Sequence, residues 1–517
     1  MIPATAVAWA EFRPDLSDYN PVFSDAILNV EPKPDGYGPL ASFSQLGTGV
    51  LQDENAVTLL TEDGDDIEID GFSLIAAGIA ERCLGALNAR LSGGESAIYA
   101  GSATTLYRMA SAGSGWSDVS RVDGSSTKIP YSVPDGGSWS MCQYGSRVIA
   151  CNGSDATQYM DVGIGTSFAA LPNAPIAKYT TVVGDFLLFG NLSSDQNAAQ
   201  WSAVNDSEDY TEGGSDTQSF PDGGPVQGLV GHQGGAIIFQ RDKLRLMEWR
   251  GDDLVWGFRV IQEQIGCYAP RSIVQARNTF FWYDQGGFYE GQNANPIGDD
   301  RVNKWVTDTF SSAERKDLRA GVDPIRNMVW WVGTKSDGTR LMVGYDYILG
   351  RWTQSDEQVD CLVACIKPGY SIDDLGALGY TFDTVPYPYD SDVWAGTAEL
   401  VMAGFTSVGE FGYFEGRAMR ATLQTVDMEL NPGGEAFLQS ARLVSDINYA
   451  YIAGTVGTRA FPGGAITWSS EAIPASSTDT MWFRKRGRTH RISVTVDPDD
   501  WNNTTGVTVY ATPAGGR

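Results

Sequence analysis

The 517-residue chain has few of the residues on which most enzyme active sites depend. It contains only two histidines, His232 and His490, so a Ser-His-Asp triad or a two-histidine metal site would have to use one of them. His232 lies in a glycine-rich turn and His490 in a basic segment, and we expect neither to be catalytic. There is also no P-loop, no dinucleotide-binding fingerprint and no zinc-ligand spacing. The sequence therefore predicts no catalytic, cofactor-binding or metal-binding residues, and a protein that is not an enzyme.

Paired cysteines and long apolar runs are missing as well. No CxxC pair occurs among the six cysteines, which are Cys83, Cys142, Cys151, Cys267, Cys361 and Cys365. This spacing argues against a zinc site or a dense disulfide framework and favours buried free thiols in a protein assembled in a reducing cytoplasm. No 18-residue apolar stretch could span a membrane as a helix, and the first residues lack the pattern of a secretion signal.

The chain has far fewer basic than acidic residues. The 36 Lys and Arg residues face 64 Asp and Glu residues, a net charge of −28, which argues against a general phosphate-binding surface. Between Asp53 and Asp70 there are eight acids and no base. The spacing of these acids is not that of an EF-hand, so we interpret them as a solvated acidic face.

One segment, residues 484–491, is strongly basic. Two interpretations remain open for it. It could dock on an acidic partner, such as residues 53–70 of a neighbouring copy or another ring. Alternatively, its charges could protect the edge of a β-sheet from aggregation.

Short strands dominate what is present. Residues 226–261 contain runs of β-branched and aromatic residues separated by Gly and Asp, with no helical apolar period, which indicates strands and hairpins. The same unit recurs, and each copy carries a late aromatic residue: Trp116, Phe168, Tyr210, Trp256, Trp305 and Trp352. The intervals of 42 to 52 residues between them are typical of β-propeller blades, which bury their two faces against neighbouring blades.

We therefore predict an all-β protein built on a β-propeller of about six blades. The expected divisions are an N-terminal extended or β arm (1–80), the blades (81–366), a long loop or protrusion and a hairpin (367–430), and a C-terminal β-sandwich-like domain (431–517). The hairpin could belong to a seventh blade. One or two Greek-key sandwiches would be the alternative, because they also contain short strands with frequent turns.

Both ends of the chain resemble a known family. The N-terminal motifs are Trp-x-Glu-Phe-x-Pro-Asp from Trp9, Ala-x-x-Asn-Val-x-Pro from Ala26 and Gly-Tyr-x-Pro from Gly36. The C-terminal segments are Arg488–Val496 and Gly506–Ala511. Together they resemble the tail nozzle, or tail-tube, proteins of short-tailed bacteriophages.

That resemblance implies a structural virion protein, assembled in the host cytoplasm and located in the tail. It would form a homo-oligomer, a hexameric ring below the portal and head-tail adaptor, and would contact tail fibres or tail spikes. Double-stranded DNA would leave through its acidic channel without specific binding, because like charges repel. We expect the Tyr- and Pro-rich segment Gly369–Trp394 to be the gate that retains the packaged DNA.

Two other functions compete with this one. The chain could be a glycan-binding or glycan-cleaving propeller tail protein used for receptor binding, which predicts an aromatic cleft with a carboxylate pair at the propeller axis. It could also be a bacterial propeller scaffold with no link to phage. The second is less favoured, because many such scaffolds are exported and the chain shows no export signal.

Overall fold

The computed structural model describes residues 4–16, 23–24, 26–45, 78–90, 96–110, 115–232, 234–251, 255–367, 400–461, 464–498 and 501–514. The acidic stretch Asp53–Asp70 and the expected gate Gly369–Trp394 lie outside these residues. Within them the structure is almost entirely β, as predicted, and most strands belong to four-stranded antiparallel sheets.

Seven of these sheets form the blades of a β-propeller, and in six of them the strands follow one another in chain order. Blade 1 comprises Gly85–Arg90, Ser96–Gly101, Leu106–Met109 and Ser117–Asp118, and blade 2 comprises Ser140–Tyr144, Arg147–Cys151, Gln158–Asp161 and Ala169–Ala170. Blade 3 comprises Ala177–Val183, Phe186–Leu192, Ala198–Trp201 and Asp216–Ser219. Blade 4 comprises Val226–His232, Gly235–Gln240, Lys243–Trp249 and Trp256–Glu263. Blades 5 and 6 comprise Val274–Ala276, Thr279–Asp284, Gly287–Glu290 and Asn295–Pro296; and Arg319–Asp323, Met328–Thr334, Arg340–Asp346 and Arg351–Ser355.

Blade 7 closes the ring with strands from both ends of the propeller sequence. Its first three strands are Val359–Ile366, Leu400–Thr406 and Phe411–Tyr413, and its outer strand is Ser44–Gln45. Ser44 pairs with Tyr413 and Gln45 with Gly412. The repeat thus has one blade more than the six counted from aromatic spacing, because the seventh takes its outer strand from a segment that precedes all the others.

Burial follows from the stacking of blades. All residues of Phe186–Leu192 and of Gly235–Gln240 are buried, since a second strand is covered on both faces by neighbouring blades. Between blades 3 and 4, Leu188 and Ile238 belong to one hydrophobic cluster. The first strands of successive blades lie next to one another around the axis, so they line its interior.

The late aromatic residues do not all occupy the outer strands. Trp256 and Trp352 lie in fourth strands, whereas Trp305 lies in a short α-helix, Asn303–Thr309. The expectation of a strand at Trp305 is wrong, because the fourth strand of blade 5 has already been made by Asn295–Pro296. A second helix, Ser312–Lys316, follows and begins with a capping box at Ser311.

The C-terminal part forms two facing sheets. The first contains, in spatial order, Thr480–Gly487, Glu435–Ser445, Thr504–Ala514, Gly36–Pro39 and Val30–Lys33, with Ala4–Ala8 also paired to Thr504–Ala514. The second contains Ala421–Gln424, Thr489–Val496, Ile452–Arg459 and Thr467–Trp468. The remaining short elements are a parallel pair, Glu11–Phe12 with Phe23–Ser24, and the 3-10 turns Pro221–Gly223, Pro270–Ser272 and Tyr449–Tyr451.

The N-terminal segment is an integral part of this sandwich. The buried Trp9 donates a hydrogen bond from Nε1 to Thr504 Oγ1 at 2.9 Å. The fully buried Tyr37 donates to the carbonyl of Ala10, and the Arg351 guanidinium of blade 6 lies over its ring. Of the motifs that resemble phage tail proteins, the N-terminal Gly36–Pro39 and the C-terminal residues 506–511 therefore lie in one sheet, whereas residues 488–496 belong mainly to the facing sheet. The sandwich packs against the propeller through a shared core.

Candidate functional site

A cavity of about 360 Å³ lies on the propeller axis and is lined by all seven blades. Its walls are mainly backbone and small or apolar side chains of the first strands, including Gly85, Gly231 and Leu362. Gly231 is required there, because a Cβ at this position would lie 2.0 Å from the carbonyl oxygen of Val182 in the next blade. Among the described residues that line it, the charged ones are two arginines, Arg271 and Arg319, and none is a carboxylate.

An ionic network stands behind these arginines. The carboxylate of Asp360, 1% exposed, accepts hydrogen bonds from Arg82 at 2.6 and 2.9 Å and from Arg340 at 2.8 Å, and it also pairs with Arg319. Burial by itself raises the pKa of Asp360. The hydrogen bonds of Arg82 and the charges of Arg319, Arg82 and Arg340 outweigh that effect and lower it to about 2. Asp360 is thus a buried anion whose charge is neutralised by arginines.

Arg271 completes the group, which we call the arginine cluster: Arg82, Arg271, Arg319 and Arg340 with Asp317 and Asp360. Asp317 pairs with both Arg271 and Arg319. Burial, and then repulsion from Arg319 and Arg82, lowers the pKa of Arg271 to about 10. These guanidinium groups are therefore close enough to destabilise one another's charge.

Two thiols lie beside the cluster. Cys83 and Cys361 both line the axial cavity, and their thiols donate to the backbone carbonyls of Gly85 and Leu362. The neighbouring thiol of Cys83 lowers the pKa of Cys361, burial opposes the effect, and the positive charge of Arg319 lowers the pKa further. Burial raises the pKa of Cys83. All six cysteines of the chain are free thiols, and four of them are buried.

A second cavity, about 490 Å³, opens on the outer side of the propeller between blades 3 and 4. We call it the rim cleft. Its aromatic residues are Trp201, Phe220, Trp256 and Phe258, and its charged residues are Asp216, Asp222, Arg245 and Arg250. The ring of Phe258 lies 5.0 Å from that of Phe220 and 5.6 Å from that of Trp201. Trp249, 56% exposed, stands edge-to-face with Trp256 beside it.

Charged groups in the rim cleft are held in place by one another. Arg245, largely buried, donates from Nε to Gln240 at 2.6 Å, pairs with Asp222 and lies over the ring of Phe220. Hydrogen bonds from Lys243 and then Arg245 lower the pKa of Asp222. The cleft thus combines aromatic rings, of which Phe258 is the most exposed, with donors and acceptors held at fixed positions.

The carboxyls with raised pKa values lie elsewhere. Burial raises the pKa of Asp284, Glu290 and Glu357, but none of the three lines either cavity. A glycosidase needs one carboxyl held protonated as the general acid. The carboxylate pair expected at the propeller axis is therefore not found among the residues that line the axial cavity.

The histidines do not lie in either cavity. His232 accepts a hydrogen bond from the backbone of Gly234 in an exposed turn. His490 is fully buried, its Nε2 lies 3.4 Å from the carbonyl oxygen of Lys485, and burial lowers its pKa. Over the described residues no group of three or more His, Cys, Asp or Glu could hold a metal ion. Among the same residues, no helix is both long enough and apolar enough to cross a membrane.

The basic segment 484–491 lies in and after an edge strand. The strand Thr480–Gly487 is the outermost of its sheet. Arg486 pairs with Glu435, and Arg491 pairs with Asp427 at 2.7 Å. The position of Arg486 fits the interpretation of sheet-edge protection, whereas Arg491 is buried in the inner strand Thr489–Val496. An acidic partner, by contrast, would have to compete with carboxylates of the same chain.

Comparison with known proteins gives only distant likenesses. No family model matches the chain, and no curated protein matches it. Among solved structures, the computationally designed Ika8 protein matches at 9% identity, with 75% of this chain and 96% of that chain covered and a TM-score of 0.35. The exo-β-1,3-galactanase Pc1,3Gal43A of Phanerochaete chrysosporium matches at 10% identity, covering 91% and 100%, with a TM-score of 0.25. A protein described as a glycoside hydrolase matches at 10% identity, covering 84% and 99%, with a TM-score of 0.23.

One expectation from sequence is corrected here. We expected the chain not to be an enzyme, but two of these three similar structures are glycoside hydrolases. That finding contradicts the expectation, and we withdraw it. The three likenesses contain nothing about phage tails, so the resemblance seen in the sequence stays a prediction.

Neither cavity was predicted from the sequence. The axial cavity is assembled from seven segments between Cys83 and Leu362, and no local pattern links them. The rim cleft could have been suspected from its composition, since residues 201–258 contain Trp201, Trp249 and Trp256 among many acids. We assigned these aromatic residues to blade cores, and Trp201 and Trp256 are indeed buried.

Proposed function

We propose that the protein is a glycan-binding β-propeller protein of a bacteriophage tail and that the rim cleft holds the sugar. The observation that carries the proposal is the lining of the cleft, where Phe258, the one of its four aromatic side chains that is not buried, meets two aspartates and two arginines, with the exposed Trp249 nearby. Sugar rings have apolar faces that stack on aromatic rings, and their hydroxyl groups require donors and acceptors at fixed positions. The assignment to a phage tail rests on the resemblance of both chain termini.

The test is a glycan microarray probed with the labelled full-length chain, followed by titration of any glycan that binds. Phe258→Ala should weaken binding about tenfold, because it removes a stacking surface worth about 1 kcal/mol or more. Phe437→Ala is the matched control, since Phe437 is an exposed phenylalanine on the C-terminal sandwich. Circular dichroism is used to check that both variants retain the fold.

The outcomes separate the proposal from its rivals. Binding that is lost in Phe258→Ala and kept in Phe437→Ala supports the rim cleft. Absence of binding to any glycan, or equal binding by Phe258→Ala, rejects it. Release of reducing sugar from a bound glycan would extend the function to cleavage, and Asp216→Asn and Asp222→Asn would then identify the carboxyl groups involved.

A second candidate is the tail nozzle, a ring-shaped conduit through which DNA leaves the head. The observation that favours it is that two of the segments resembling nozzle proteins, one from each end of the chain, are neighbours in one sheet, with Gly36–Pro39 paired to Thr504–Ala514. The net charge of −28 per chain suits a channel that DNA must pass without adhering.

Light scattering of the purified chain, with negative-stain images of the same sample, tests this candidate. A hexamer with an open centre supports a nozzle. A monomer that binds a glycan through the rim cleft rejects the nozzle in favour of the first proposal. This measurement decides whether the chain forms a ring. The proposed contacts with the portal, the adaptor and the fibre or spike proteins apply only if it does.

A further inference from the structure

The arginine cluster carries more positive charge than its acidic partners neutralise. Among the described residues, its four guanidinium groups share two carboxylates, Asp317 and Asp360, which leaves two positive charges without a counterion of their own in a chain whose net charge is −28. The side chains of Arg271 and Arg319 are only 17% and 9% exposed. Buried charge without a counterion is costly in free energy. The site would therefore gain stability from an added anion.

Strand direction places the whole cluster at one end of the propeller. Arg319 and Asp360 stand at the start of first strands, and Arg82 and Arg271 lie in the connections that lead into first strands. Arg340 begins a third strand, which runs in the same direction as a first strand in an antiparallel blade. All of these charges consequently lie where the first strands begin, at one mouth of the axial cavity.

We infer that the mouth of the axial cavity is a binding site for a small oxyanion, a phosphate, sulfate or carboxylate group, recognised by Arg271 and Arg319. Both arginines line the cavity, no carboxylate does, and the planar guanidinium fork matches an oxyanion in shape and charge. Burial lowers the pKa of Arg271, and repulsion from Arg319 and Arg82 lowers it further.

Cavity size indicates what the anion is attached to. Its volume of about 360 Å³ exceeds the space of a few water molecules at about 30 Å³ each. The remaining walls combine glycines and apolar side chains such as Leu84, Met141 and Ile273 with polar residues, among them Ser138, Thr181 and Gln275. The site therefore suits a charged group carried on a small organic molecule. It is separate from the rim cleft and does not depend on the glycan proposal.

The experiment follows the thermal unfolding of the full-length chain in sodium phosphate, sodium sulfate, sodium glucuronate and sodium chloride at matched ionic strength. A specific site gives a saturable rise in unfolding temperature with an oxyanion and none with chloride, because a ligand that binds the folded state stabilises it by mass action. Calorimetric titration then gives the dissociation constant for each anion. Comparison of the three dissociation constants identifies whether the site prefers a phosphate, a sulfate or a carboxylate group.

Variants locate the site. Arg271→Gln should weaken binding at least about tenfold, as expected for loss of a charge-assisted hydrogen-bond pair. Arg241→Gln is the matched control, because Arg241 is exposed and pairs with the exposed Asp242. If Arg271→Gln does not fold, Arg271→Lys keeps the charge without the fork and should give intermediate affinity.

Either of two results would overturn the inference. If no oxyanion up to about 20 mM stabilises the wild-type chain more than chloride does, the cluster binds none of them. Equal affinities of the wild type and Arg271→Gln would place any bound anion elsewhere. In either case the cluster would be only an ionic junction between blades 1, 5, 6 and 7.

Discussion

Replacing Asp360 with asparagine should destabilise the propeller by about 2 to 3 kcal/mol at neutral pH. Asp360 is the shared partner of Arg82, Arg319 and Arg340, and its pKa is lowered from 3.8 to about 2. The fall in pKa from 3.8 to about 2 corresponds to about 2.5 kcal/mol of stability, at about 1.36 kcal/mol per pKa unit. The variant also leaves buried arginines without their counterion, which adds to the cost.

The pH dependence gives this prediction a distinctive form. Because the pKa of Asp360 is lower in the folded chain, its stabilisation is complete above about pH 4 and is lost as pH falls through the folded pKa of about 2. About half of the stabilisation should be left at pH 3. The difference in free energy of unfolding between wild type and Asp360→Asn should shrink accordingly.

Urea unfolding followed by tryptophan fluorescence at several pH values measures this difference. Asp242→Asn is the control, since Asp242 forms an exposed pair with Arg241 and should cost no more than about 1 kcal/mol. Equal stability of Asp360→Asn and wild type at pH 7 would refute the argument. So would a difference that stays constant between pH 7 and pH 3.

Three further predictions concern other parts of the fold. Gly412→Ala should weaken closure of blade 7 and speed amide exchange there, because a Cβ would lie 2.2 Å from the carbonyl oxygen of Ser44. Trp9→Phe should lower the free energy of unfolding by about 1 to 3 kcal/mol, since it removes the hydrogen bond to Thr504 and leaves that buried hydroxyl without its donor. His490 is buried and its pKa is lowered, so stability should fall as pH drops below about 6.5, and His490→Asn should remove that component in urea titrations between pH 7.5 and 5.5.

Controls for these three use similar residues in open positions. Gly124→Ala places its Cβ where no atom lies within 4 Å, so amide exchange in blade 7 should be unchanged. Trp482→Phe changes a tryptophan that is 47% exposed and should cost little. For His490, a stability profile over pH that is the same in wild type and variant would contradict the assignment.

Sequence alone determined the class of fold, because the evidence for it is local. Alternating or continuously apolar runs such as Ala236–Gln240, separated by Gly and Asp turns, specify antiparallel strands wherever they occur. Repetition of that unit indicated a propeller, since a lone blade cannot cover both of its faces. The protection of a sheet edge considered for residues 484–491 rested on equally local information, the positive charge of one short segment.

Tertiary structure decided what depends on distant segments. The outer strand of blade 7 comes from Ser44–Gln45, more than 360 residues before its partner Gly412, so spacing along the chain undercounted the blades. Trp305 has the spacing of a strand residue but forms a helix, because the sheet of blade 5 is already complete. The arginine cluster joins residues between 82 and 360 that are unremarkable in sequence. Only closure of the ring brings their charges together, because its first strands converge on one axis.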